Sequence, residues 1–447
     1  MPKFTVFWLA TYFGGIIAAF FAPLIGLLDY LFEYYLRPRH HWWGDTELPD
    51  WRWNMMIAVV CVVTFLIRRN GLPKVPSLKN PSMRWFVALA LSMIVVTTTW
   101  SVDFDKSWEE TTAFLKLLIL YGLIVGNVRT QNMFDAFMAT HIAGAGWWGW
   151  QAYIDPKRVS GRLINIGSSD TLNDNLAAAH LLTVLPILCV YALTAKDKRL
   201  RLLALITAPF IVNTFILCNS RGATVGLAVG MAAAMLLARK GHRVRMFGAA
   251  VAVAVLFVAL ADKTFIERQK TINDEDAGAE RIATWQGARQ LLTDHPLGVG
   301  GGGFEYLSPI YIREIVNAHD GERRSVHNTW LLIATEWGIQ GFVFFVGLIG
   351  SSLLILNRVR KMAKDSQDIY YRSLALQVGL ISTLTAATFS NRFLGESIYW
   401  LLGLSFALYR IAVKELAVET VPATAVPVPV PFQPAAATAT ATTAAAH

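Results

Sequence analysis

An all-α polytopic membrane protein is the fold class this sequence predicts, and three observations carry the prediction. The 447 residues are 54% hydrophobic and only 16% charged, whereas soluble chains of this size carry a charged fraction nearer a quarter. Mean hydropathy is +0.43. The apolar residues also gather in long blocks, such as AAVAVAVLFVALA from Ala249 to Ala261. Roughly 20 apolar residues carry one helix across a bilayer.

In chain order the blocks predict about 12 transmembrane helices, at 4–30, 54–67, 84–100, 111–127, 132–152, 176–194, 200–217, 222–238, 244–261, 328–356, 371–390 and 396–413. The first and tenth are long enough to tilt or break. The opening MPKFTVFWLATYFGG has too long an apolar run for a signal peptide and lacks a small-residue cleavage site, so it reads as a retained first helix. Loops after even-numbered spans carry the Lys/Arg clusters around Arg68, Lys196, Arg239 and Arg358. Positive loops stay in the cytoplasm, which places both termini there and most of the net charge of +9 on that face. These clusters are topology signals and imply no nucleic acid. Cys61, Cys189 and Cys218 fall inside predicted spans, as packing residues do.

Residues 1–415 form the transmembrane domain. One large extracytoplasmic loop, 262–326, interrupts it, and GAERIATWQGARQLL (278–292) within that loop has helical character. Arg281, Trp285 and Arg289, spaced by four, share a slowly drifting face. Gly298, Gly300 and Gly303 match G-x-G-x-x-G without the strand and helix a dinucleotide site requires. That stretch is either a flexible turn or a backbone offering N–H groups to an anion. Residues 416–447, rich in Pro, Ala and Thr, read as a disordered cytoplasmic tail.

The chemistry lies in cations at membrane depth. Arg221 occupies a short polar break, NSRG, and an arginine there is costly unless partnered. Asn219 and Ser220 can hydrogen-bond, and Gly222 clears space beside it. The predicted topology puts Arg221, Arg281, Arg289, Arg324 and His327 on one face. Guanidinium groups bind phosphate in bidentate fashion, and histidine is the commonest general base. Together they suggest a site for a lipid phosphate or pyrophosphate with a base for an incoming hydroxyl. Asn328 either orients His327 or caps the following helix, and capping is the simpler role. Asp274, Glu275 and Asp276 read as a solvated acidic face, so neither a metal set nor a cofactor is expected.

The order of these motifs resembles the bacterial O-antigen ligase (WaaL) family. The elements are Ser220-Arg221-Gly222, Arg281-x3-Trp285, Pro296 to Phe304 (P-L-G-x-G-x-x-x-F), His327-Asn328-x-Trp330-Leu331, and Glu336-x-Gly338-x-x-Gly341-Phe342. The resemblance covers roughly 160–400, including the polar stretch around Asn173 and Asn175. It implies an inverting, metal-independent glycosyltransferase of GT-C type in the bacterial inner membrane, with a periplasmic active site. The donor would be a preassembled glycan on undecaprenyl pyrophosphate, the acceptor a lipid A–core sugar hydroxyl, and the product complete lipopolysaccharide. His327 would be the catalytic base, Arg221 and Arg281 would bind the donor pyrophosphate, and Arg289, Arg324 and Asn328 would be secondary substrate contacts. O-antigen polymerases and protein O-oligosaccharyltransferases share the superfamily. A lipid-linked sugar transporter is the alternative from another class.

Overall fold

A computed structural model describes residues 2–38, 44–45, 47–68, 80–159, 161–164, 166–168, 170–171, 173–261, 265–267 and 275–419. Among them the chain forms sixteen α-helices and one two-stranded hairpin. The helices are α1 Lys3–Ala19, α2 Pro23–Leu36, α3 Trp53–Ile67, α4 Pro81–Thr99, α5 Phe104–Asn127, α6 Gln131–Ile154, α7 Asp174–Thr194, α8 Lys198–Leu217, α9 Arg221–Leu237 and α10 Arg243–Leu260. The loop contributes α11 Glu275–Asp294, α12 Gly303–Tyr311 and α13 Arg313–Ala318, and the chain continues with α14 Thr329–Met362, α15 Gln367–Ala387 and α16 Glu396–Glu419. Between α6 and α7, Arg158–Val159 (β1) pairs antiparallel with Arg162–Leu163 (β2). Five helices are long and apolar enough to cross a membrane: α4, α7, α8, α14, and α10 with the residues just before it.

The first predicted span, 4–30, is not one helix. Pro23 removes a backbone donor and disfavours helical geometry at Ala22, which is extended (φ −139°, ψ 98°). The chain doubles back there. A Cβ on Gly15 would stand 2.5 Å from the Asp29 carboxyl carbon, and one on Gly26 would stand 3.0 Å from the Ala19 Cβ. That antiparallel register turns twelve predicted spans into thirteen helices. Arg68, at the end of α3, donates to the Phe20 carbonyl at the α1–α2 turn, so α1 starts at the bundle end opposite Arg68.

The Arg68 end also holds the Lys196–Asp368 pair at 2.8 Å and the contacts of Arg239 with the Arg360 and Lys364 carbonyls. Gln131 meets Glu415 there, near the end of α16. The start of α1 and the end of α16 therefore lie at opposite ends of the bundle. Helix α16 runs to Glu419, past the start of the predicted tail at 416, and 420–447 lie outside the described residues. So does Asp274 of the acidic run.

The tenth predicted span breaks as well. Inside α14, Gly338 has φ 74° and ψ 177°, a region essentially closed to other residues. The glycine segment before α12 repairs the break. Val299 N–H donates to the Thr335 carbonyl (3.1 Å), Gly300 N–H to the Glu336 carbonyl (2.8 Å), and Ile339 N–H to the Pro296 carbonyl (3.0 Å). The same segment reaches α5 through Gly301 N–H on Ser107 Oγ at 3.1 Å. It is neither a flexible turn nor a free set of anion donors, because the broken helix uses these N–H groups.

Candidate active site at the helix N-termini

Three helices, α7, α9 and α14, begin at the end of the bundle opposite Arg68, each with a polar cap. At α7, Asn173 Oδ1 accepts from Leu176 N–H at 2.9 Å. At α9, Asn219 takes a left-handed backbone (φ 52°) and reverses the chain after α8. Ser220 then caps Ala223 N–H and donates to Asn175 Oδ1 at 2.7 Å, tying α9 to α7. Arg221 is thus the first residue of α9, at the positive end of the helix dipole. Two of the asparagines that the sequence set apart, Asn173 and Asn175, hold this corner together. Gly222 has a different use from the one expected. A Cβ there would lie 2.7 Å from the Phe389 Cβ, so the glycine admits the α15–α16 connection, not a ligand.

At α14, Asn328 Oδ1 accepts from Trp330 N–H (3.0 Å) and Leu331 N–H (3.1 Å). Capping is its structural role. Asn328→Ala should cost about 1 kcal/mol of stability, while Asn328→Asp should cost little; thermal unfolding in detergent distinguishes them. His327, just before the cap, has φ 47°. Its position is set from α11, where the Trp285 indole donates to the Val326 carbonyl at 3.2 Å. Arg281 lies one helical turn from Trp285, so this hydrogen bond brings Arg281 and His327 to one place.

Electrostatics report the grouping. The Arg281 guanidinium is pushed below its ordinary pKa first by lost hydration, then by Arg221 and Arg162, with Glu280 opposing. The His327 side chain stays accessible, yet lost hydration is the first cause that lowers its pKa below 6.5. Arg281 and Arg324 lower it further, and Glu280 opposes them. Arg324 also pairs with Glu280 at 3.4 Å and donates its backbone N–H to Ser308 Oγ at 3.1 Å, which makes it a brace between α11 and the segment before His327. Arg289 is exposed two turns beyond Arg281, and it is not among the groups that shift Arg281 or His327.

Sequence reasoning missed Arg162, Asp174 and Glu280. Arg162, on β2, pairs with Asp174 at the start of α7 at 2.9 Å. The short hairpin delivers it beside Arg221 and Arg281, a proximity no local spacing encodes. A cation among glycine and polar residues in VSGRLINIGSSD was the only available signal. Among the described residues, no group of three His, Cys, Asp or Glu side chains forms a metal site.

Fold and site together define a multi-pass helical membrane protein with a cationic, histidine-bearing site at one end of its bundle. Residues 202–346, about a third of the chain, match the family model described as O-antigen ligase. That match supports the O-antigen ligase and polymerase superfamily for this stretch of the chain, a superfamily whose members are glycosyltransferase-like enzymes. The match includes Arg221, Arg281, Arg289, Arg324, His327 and Asn328. No curated protein matches the chain by sequence.

Proposed function

We propose that this protein is an O-antigen ligase of GT-C type. It transfers a preassembled glycan from undecaprenyl pyrophosphate to a lipid A–core sugar hydroxyl at the periplasmic face of the inner membrane. The observation that carries the reading is that the Trp285–Val326 hydrogen bond seats Arg281 beside His327, with Arg221 and Arg162 acting on Arg281 from the starts of α9 and β2. Arg281 stands among Arg221 and Arg162, with Glu280 opposing, and a pyrophosphate has the charge and shape to meet such guanidinium groups. A lipid tail keeps that group at the bundle end.

In this mechanism neutral His327 accepts the proton of the acceptor hydroxyl. The oxygen attacks the anomeric carbon from the face opposite the leaving group and inverts it. The bond from that carbon to the pyrophosphate oxygen breaks, and its electron pair stays on the pyrophosphate. Arg221 and Arg281, with Arg162 beside them, stabilise the developing charge as oxyanion-hole donors do. Arg289 and Arg324 are the secondary contacts of the proposal, with Arg324 acting through its brace.

The test is ligation by purified protein from lipid-linked glycan to lipid A–core, in chelator, with products followed by mass. A core-linked glycan is expected. Glycan lengthening instead would identify a polymerase, glycan on serine or threonine a protein O-oligosaccharyltransferase, and movement across vesicles without product a transporter.

The lowered pKa of His327 sets a pH dependence. The base form is neutral, so activity should be flat above neutrality and fall as pH drops through a value below 6.5. Arg324→Gln removes one cation and frees Glu280 to raise the histidine. The acid limb of kcat/KM should then move to higher pH, and an unmoved limb would separate His327 from the ionisation observed.

A further inference from the structure

We propose that Thr329 is a positioning residue for His327, holding its left-handed backbone through a clamp on the connection between α15 and α16. The effect on rate rests on the ligase reading; the effect on the histidine itself does not. His327 takes φ 47°, a region that crowds an L side chain and that a residue keeps only when its surroundings impose it. The restraint has to act on both of its neighbours. Upstream it is the hydrogen bond from the Trp285 indole to the Val326 carbonyl. Downstream, Asn328 caps α14, but its bonds to Trp330 and Leu331 tie the helix only to itself. Thr329 ties it to the rest of the fold. Its side chain is buried, and its hydroxyl donates to the Ser390 carbonyl at 2.7 Å and accepts from the Arg392 N–H at 2.8 Å.

That connection is a firm anchor. The Arg392 side chain is 0% exposed, and a buried guanidinium is costly unless it is paired and hydrogen-bonded. It donates to the Asp170 carbonyl at 2.8 Å and to Ser397 Oγ at 3.3 Å, and stands 3.7 Å from the Asp170 carboxylate. Asp170 is held in turn, accepting from the Tyr34 hydroxyl of α2 at 2.6 Å and from the Glu396 N–H of α16 at 2.9 Å. Buried ion pairs add little net stability. The use of this one is the fixed place it gives to Ser390 and Arg392, and Thr329 carries that place to the start of α14.

A general base needs such support, since a displacement of about 1 Å can cost about 100-fold in rate. Valine at 329 would leave the Arg392 N–H and the Ser390 carbonyl without their partner and let the clamp open. His327 would then relax to an ordinary backbone. Its ring would regain water and leave Arg281 on α11 and Arg324 on the preceding segment, the two cations that act on it, with Glu280 of α11 opposing them.

The experiment compares Thr329→Val, which keeps the branched shape, with Thr329→Ser, which keeps the hydroxyl. The first reading needs no substrate. His327 is exposed, so its carbethoxylation by diethyl pyrocarbonate is followed against pH by peptide mass on the purified full chain. The wild-type titration should lie below 6.5, move up toward 6.5 in Thr329→Val, and stay in place in Thr329→Ser. The second reading is ligation, where Thr329→Val should lower kcat about tenfold or more with donor KM unchanged, and Thr329→Ser should not. Trp285→Phe releases the other anchor and should move the titration the same way. The double variant should move it no further than the larger single shift, because one strained residue is released once. A Thr329→Val protein with wild-type circular dichroism and an unmoved titration would overturn the proposal. So would an equal loss in Thr329→Ser, or a moved titration with unchanged kcat. If wild type ligates nothing, the ligase reading fails and the titration alone decides the clamp.

Discussion

Replacing His327 with alanine is expected to lower glycan transfer by about 10²–10⁴-fold, the usual worth of a positioned general base. The loss should appear in kcat, because the proton is taken only as the acceptor oxygen attacks. Arg281→Ala should cause a loss of similar size. It leaves His327 with one cation fewer, so its acid limb should also move to higher pH. Arg221→Ala should act on donor turnover without moving that limb, since Arg221 acts on Arg281 and is not among the causes of the His327 shift. The double variant of Arg221 and Arg281 should lose less than the product of the single losses, because both serve one pyrophosphate. The measurement is pH-resolved kinetics on each variant, and full activity in His327→Ala would sink the mechanism.

Gly338→Ala should destabilise the protein by about 3 kcal/mol or more. Two causes add. A side chain at φ 74° and ψ 177° is strained in itself, and a Cβ there would stand 2.4 Å from the Leu297 carbonyl carbon, which is backbone and cannot turn away. The expected relaxation is a straightened α14 that expels the 296–303 segment, and with it the register between the loop and the bundle. Gly350→Ala on the same helix is the control. Nothing lies within 4 Å of a Cβ at that position, so its melting temperature should stay close to wild type. Thermal unfolding in detergent reads both variants, and a Gly338→Ala melt equal to that of Gly350→Ala would remove the break from the stability of the fold.

Much of the architecture was legible because bilayer-scale apolar blocks announce themselves one at a time. Eleven of the twelve predicted spans coincide with single helices or with one helix broken at Gly338. The first failed because both halves of the α1–α2 hairpin are apolar, and hydropathy does not register a reversal at Pro23. Of the site, the cations, the histidine and the Asn328 cap were visible as residue types near span ends. Arg162 was not visible, since its partnership with Asp174 and its nearness to Arg281 arise from a hairpin packed on distant helices. Gly222 and the 298–303 glycines were visible but misread. A glycine signals only that something comes close, and here the approaching group is the protein's own chain: Phe389 in one case, the Glu336 carbonyl and the Ser107 hydroxyl in the other.

By itself, then, the sequence determined a multi-pass helical membrane protein, the approximate limits of nearly every span, and the kinds of group offered to a phosphate. Those properties are local, because each follows from the composition of a stretch short enough to form one helix or one cap. Tertiary structure alone decided that α1 turns back and that a glycine segment heals the break in α14. It also decided that Arg281 meets Arg221 and Arg162 as well as His327. Such outcomes depend on which distant segments meet, and a charge acts on another only at the distance the fold sets between them.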